Sequence, residues 1–169
     1  WADPAKQIIP AVWANITDLP QLEQAVFDYT RQVLLDLAGQ DLMPEFVQVG
    51  NEINTEILMH TPYGGDASVY DAGINWSRNA PLIKAGIRGV REAGKQTSTQ
   101  PRVMLHIAQP ENIIPWFDAA AAAGVHDFDV IGMSYYPKWS ACSMEQTGQT
   151  ITQARQRYQK ELMLVETAY

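Results

Sequence analysis

The chain is short of most features that give a function away early. It has a single cysteine, Cys142, which excludes an internal disulfide, and no histidine or cysteine stands beside it to suggest a metal or nucleophile role. Basic residues are few: Lys+Arg 12 against Asp+Glu 19 gives a net charge of −7, with no basic run. That argues against nucleic acid, whose affinity rests on neutralising phosphates. No apolar run approaches the roughly 20 residues of a membrane span, and the most apolar helical stretch, Phe117–Gly124, is a short alanine run. No glycine-rich turn follows a strand, as a doubly wound nucleotide binder would require, since Gly64-Gly65 falls inside a long loop. A signal peptide and an initiator methionine are also missing. The opening Trp1-Ala2-Asp3-Pro4 is expected of an internal stretch of a longer protein.

What is present is an alternation of apolar strands and amphipathic helices. Asp18 can cap a helix through Pro20, with Leu22, Val26, Tyr29, Val33, Leu34 and Leu37 at helical spacing and a stop at Gly39. A strand over 46–49 follows, then a long loop over 53–78. A helix is predicted over 79–93, a strand over 103–108, a helix over 113–123, a strand over 128–136, a helix over 144–159 and a strand over 162–165. Strands alternating with helices call for a parallel sheet with right-handed crossovers. Their near-continuous apolar character is that of strands covered on both faces. An open doubly wound sheet and a segment of a (β/α)8 barrel both fit. The missing glycine-rich turn favours the barrel, so the fold class expected is α/β, an incomplete TIM barrel.

Each strand ends in polar groups: Asn51-Glu52, His106, Ser134-Tyr135-Tyr136 and Glu166. A TIM barrel does its chemistry at the C-terminal ends of its strands. Two glutamates delivered to one rim suit an acid/base and nucleophile pair on a glycosidic bond. Such a pair needs environments that push the two pKa values apart. Asn51 can bond a sugar hydroxyl, and Tyr135 or Tyr136 can donate to the nucleophile and hold it ionised. Since neighbours in a strand face opposite ways, one of the two tyrosines is expected to be packing. His106, within a strand, reads as a core histidine before a catalytic group. Trp1, Trp76 and Trp139 are placed in rim loops as sugar platforms and Trp116 in the core, while Asp3 and Asn54 are rim candidates by position. No metal or other cofactor is called for.

Four blocks taken together resemble glycoside hydrolase family 53: Trp1-Ala2-Asp3-Pro4 with Lys6-Gln7, Val49-Gly50-Asn51-Glu52-Ile53, Asp129 through Pro137, and Val165-Glu166-Thr167-Ala168-Tyr169. They span the chain from end to end in order. The resemblance implies a (β/α)8 barrel of a retaining clan, with residues 1–169 as the central part of one catalytic domain, about strands four to seven with their helices. It implies Glu52 as acid/base, Glu166 as nucleophile and Asn51 on the 2-hydroxyl of the cleaved sugar. His106, Tyr135 and Tyr136 would line the flanking subsites, with Trp139 further along the groove and Trp1 and Asp3 as further binding residues. The implied substrate is the β-1,4-galactan of pectic side chains and type I arabinogalactan, and the implied location is extracellular or periplasmic. The partner the chain would need is the remaining barrel strands of its parent. A family calcium site, where present, would fall outside this chain. A mannanase or cellulase of the same clan, or a non-catalytic carbohydrate-binding fragment, is the alternative. The Leu-Trp-Pro step that family members carry after Asn-Glu is replaced here by Ile57-Leu58-Met59-His60, and His60 is read as an exposed loop residue.

Overall fold

A computed structural model describes residues 6–168 of the chain. After a short 3-10 turn at Ala11–Trp13, helix α1 runs over Leu19–Ala38, strand β1 over Phe46–Gln48, α2 over Trp76–Lys95, β2 over Arg102–Ala108, α3 over Pro110–Ala122, β3 over Val130–Tyr135, α4 over Met144–Tyr158 and β4 over Glu161–Thr167. The strands form one parallel sheet in the order β1-β2-β3-β4. Sequential order with helical crossovers is the arrangement of a barrel wall. The fold is therefore half of a TIM barrel.

The helices form where the sequence places their caps. Asp18 accepts from the Gln21 backbone N–H at 3.2 Å with Pro20 in the first turn, and Ser143 and Gln146 close a reciprocal box at the start of α4. Leu22, Val26 and Leu34 turn inward from α1. Close approach to α2 depends on Gly89, where a Cβ would stand 2.8 Å from Thr30 Cβ. Two starts fall earlier than local spacing predicts, α2 at Trp76 and α3 at Pro110. The first turn of α2 is held by tertiary bonds: Arg78 donates to the Ile57 and Leu58 carbonyls at 2.7 and 2.6 Å, and Asn79 Oδ1 accepts from Ile57 N–H at 3.0 Å. Those bonds pin the long loop through Ile53, Ile57 and Leu58, all buried.

The two central strands are buried along nearly their whole length, as strands covered on both faces should be. The edge strands depart from that expectation. Phe46 on β1 is 38% exposed, and Met163 and Leu164 on β4 are 39% and 47% exposed. A half-barrel leaves its two terminal strands without neighbours, so apolar residues that a closed barrel would cover face outward here.

Candidate active site

At the top of β1 the backbone leaves the strand through two left-handed residues, Gly50 (φ 83°) and Glu52 (φ 46°). Glycine adopts that conformation freely, but glutamate does so at a cost and persists there only where neighbours over-determine it. Here they do. Gln7 Nε2 donates to the carbonyls of Asn51 and Glu52 at 3.1 and 3.3 Å, and Ile53 N–H donates to the His106 carbonyl at 2.9 Å. A Cβ at Gly50 would run into the Ile53 side chain, so the turn admits no larger residue without moving Asn51 and Glu52.

Glu166 arrives by a different device. The β3–β4 ladder pairs Met133 with Leu164 and then Ser134 with Glu166, skipping Val165. In a regular ladder Val165 would stand opposite Ser134, and Glu166 would point to the other face. The bulge exchanges them. Glu52, His106 and Glu166 thereby come together, each offering one ligand-type atom within 4.8 Å of the others. One oxygen of each carboxyl group thus lies within 4.8 Å of the other, an approach that suits the closely spaced pair, about 5–5.5 Å apart, of a retaining glycosidase.

A hydrogen-bond network fixes the pair. Ser134 Oγ donates to Glu52 Oε1 at 2.6 Å, and Tyr136 donates to Glu166 Oε2 at 2.9 Å. His106 Nε2 lies 2.8 Å from Ser134 Oγ, and its Nδ1 lies 3.1 Å from Asn51 Oδ1 and accepts from the Glu52 backbone N–H at 3.4 Å. Burial raises the Glu52 pKa above the ordinary carboxylate value; the Ser134 hydrogen bond opposes the rise and the Glu166 charge adds to it. The Tyr136 pKa is raised, first by its bond to Glu166 and then by burial. Both nitrogens of His106 have protein partners, so the Glu52–His106–Glu166 group reads as a bonded carboxyl pair rather than an open cation site.

Burial of the His106 ring drives its pKa down to about 4, against a smaller upward pull from Glu166. A group whose folded pKa is depressed from 6.5 binds fewer protons when folded than when unfolded, so it withdraws stability as pH falls from about 6.5 to about 4. Glu52, raised in the folded state, acts in the opposite sense, and a comparison with His106→Gln isolates the histidine. Relative to that variant, the unmodified protein is expected to lose on the order of 3 kcal/mol over this window, measured by denaturant unfolding at successive pH values. Parallel curves for the two proteins would contradict it.

A cleft of about 440 Å³ opens beside the pair, lined by Glu52, Asp66, Ser68, Ala108, Gln109, Tyr136 and Trp139. Trp139 is 65% exposed and rests against Tyr136, ring centroids 5.3 Å apart. It is therefore an exposed aromatic ring beside the cleft.

Other residues fall elsewhere than expected. Tyr135 is buried and donates to the Cys142 carbonyl at 3.2 Å, so it is the packing member of the tyrosine pair and not a groove residue. His106 is fully buried, which puts it behind the carboxyls rather than against a sugar. Asn54 is buried too, bonding Ala108 N–H at 2.7 Å and the Ser68 and Ala108 carbonyls at 3.0 and 2.9 Å. It staples the loop instead of facing the rim. Trp76 sits at the start of α2 against Trp116, centroids 5.4 Å apart, and is no rim platform. Trp1 and Asp3 lie outside the described residues. Two contributors escaped the sequence reading. Ser134 was noted only as part of a strand end and Gln7 only within a motif, because each acts on a residue dozens of positions away.

Comparison with known proteins places this geometry in a family. The model of glycosyl hydrolase family 53 matches residues 1–169. An arabinogalactan endo-beta-1,4-galactanase of Cellvibrio japonicus is 49% identical over 170 residues, covering 100% of this chain and 44% of that protein. An endo-beta-1,4-galactanase of Bacillus subtilis is 31% identical over 171 residues, covering 100% of this chain and 35% of that protein. Among solved structures, the Ignisphaera aggregans GH53 catalytic domain superposes with a TM-score of 0.82 at 34% identity, covering 100% of this chain and 43% of that one. The chain thus spans less than half the length of these relatives.

Proposed function

The chain belongs to glycosyl hydrolase family 53, and we propose that it is the central part, strands four to seven, of a retaining endo-β-1,4-galactanase. The substrate would be the β-1,4-galactan of pectic side chains and type I arabinogalactan, met outside the cell or in the periplasm. The observation that carries the mechanism is the approach of the Glu52 and Glu166 carboxyl oxygens to within 4.8 Å at the C-terminal ends of parallel strands.

In this reading Glu52, whose raised pKa suits a proton donor, gives its proton to the leaving sugar oxygen. Glu166 attacks the anomeric carbon, breaking the glycosidic bond and forming a glycosyl ester. Glu52, now ionised, takes a proton from water, and that water releases the sugar from Glu166. Asn51 sits beside Glu52 where it can meet the sugar hydroxyl next to the reacting carbon. Tyr136 donates to Glu166 and fixes its carboxyl group in place, and Trp139 offers an apolar face to a sugar ring at the next position. Asp66, Ser68 and Gln109 line the same cleft and supply polar groups for ring hydroxyls.

The test is the configuration of the first product. The full-length protein acting on galactan is expected to release the β-anomer, followed by proton NMR before mutarotation, with little hydrolysis of mannan or cellulose. Initial release of the α-anomer would rule out double displacement, and preferred hydrolysis of mannan or cellulose would rule out the substrate.

A further inference from the structure

Ser134 occupies an unusual place in this site. It is fully buried on β3, with a relative exposure of 0%, and it bridges two groups from two other elements. On one side it reaches Glu52 Oε1 at 2.6 Å, and on the other His106 Nε2 at 2.8 Å. A hydroxyl has one hydrogen to give and can accept others. His106 also shows 0% exposure, so no solvent competes for either contact. Its far nitrogen, Nδ1, accepts from the backbone N–H of Glu52 itself. With the ring hydrogen on Nε2, Nδ1 can only accept, so Asn51, 3.1 Å away, meets it as a donor by turning its amide to present the NH2 group. Three groups and one backbone amide thus close a ring that begins and ends at Glu52.

We propose that Ser134 and His106 are positioning residues for Glu52: His106 Nε2–H donates to Ser134 Oγ, which commits the single serine hydrogen to Glu52 Oε1. The inference rests on the reading of Glu52 as acid/base. It has two consequences for that role. While Glu52 is an acid, Oε1 is occupied by an incoming donor, so the transferable proton resides on Oε2. Once that proton has gone to the leaving oxygen, the new carboxylate is already met by a hydrogen bond and needs no rearrangement to serve as base. Neither Ser134 nor His106 exchanges a proton with substrate.

The charged and titratable groups around Glu52 are Glu166 from β4, His106 from β2, Tyr136 from the end of β3 and Asp66 from the loop across the cleft. Ser134 is the neighbour whose hydrogen bond favours the ionised form of Glu52. Its removal therefore raises the Glu52 pKa. A proton donor must be protonated to act, and the high-pH limb of kcat/KM reports that group in the free enzyme.

In the full-length enzyme on galactan, Ser134→Ala is expected to move the high-pH limb upward by on the order of one pH unit and to shift the low-pH limb less. Ser134→Thr, which keeps a hydroxyl, returns the limb toward its original place. His106→Asn, which loosens the other side of the serine, moves it in the same upward direction and serves if the alanine variant does not fold. Limbs that stay put in both variants, or move down, overturn the relay. Glu52→Ala run alongside keeps the two ideas apart: full galactan turnover in that variant would strike at the acid/base reading instead.

Discussion

Glu166→Gln in the full-length enzyme is expected to lower galactan turnover by roughly 10⁴-fold or more, the scale on which removal of a covalent nucleophile acts. The argument is one of near-identical shape. Glutamine has almost the volume of glutamate, and its carbonyl oxygen can still accept from the Tyr136 hydroxyl, now 2.9 Å from Glu166 Oε2. The bulge that turns position 166 toward Ser134 is set by the backbone ladder and should survive. What is lost is a charge able to attack carbon. The Glu52–Glu166 repulsion is lost with it, so the Glu52 pKa should fall toward its ordinary value, since the Glu166 charge contributes to its rise. Substrate binding should therefore persist while chemistry stops. Turnover within tenfold of the unmodified enzyme would remove Glu166 from the nucleophile role, and an equal loss for Asp66→Asn, across the cleft, would mean that the assay reads stability instead.

How much of this could be read from the sequence follows from how local each signal is. The caps at Asp18 and Ser143, the helical spacing of α1 and the apolar runs of β2 and β3 are written within a few residues, and they gave the alternation and hence the half-barrel. The polar strand ends at 51–52, 106, 134–136 and 166 followed from the same runs. What stayed hidden was orientation. Strict alternation along 162–167 cannot reveal that the ladder skips Val165, because a bulge depends on the partner strand. Which tyrosine faces the cleft was likewise undecided until Tyr135 was seen bonded to Cys142. His106 read as a core histidine by its place within a strand, and only the family resemblance put it in the groove; its ring is buried between Asn51 and Ser134. Ser134 lies 82 positions from Glu52 and Gln7 lies 45 from it, distances at which no pattern in the chain announces a contact. Trp76 was misplaced because its helix starts a turn early, held by Arg78 and Asn79 rather than by any local cap.

Glu52→Ala should produce a loss that depends on the leaving group, and this dependence distinguishes an acid/base residue from a merely structural one. With galactan, whose departing sugar oxygen is a poor leaving group, turnover is expected to fall roughly 10²–10⁴-fold, the usual contribution of a positioned proton donor. With an aryl β-galactoside carrying a good leaving group, the first step needs little acid help. Glu166 still attacks, the glycosyl ester accumulates, and its hydrolysis becomes limiting because no base remains to activate water. A small anion such as azide needs no such base. It can enter the space left by the side chain, attack the anomeric carbon and displace the Glu166 carboxylate, giving a glycosyl azide of β configuration. Added azide should therefore restore turnover of the aryl substrate and leave the galactan rate low, since the first step still lacks its acid. The same Glu52→Ala change removes the carboxyl group that Ser134 serves, so an accompanying Ser134→Ala substitution should cost little more on either substrate. Failure of azide to restore the rate, or an azide product of α configuration, would refute the assignment of Glu52, and a large further loss in the double variant would show that Ser134 acts on something other than Glu52.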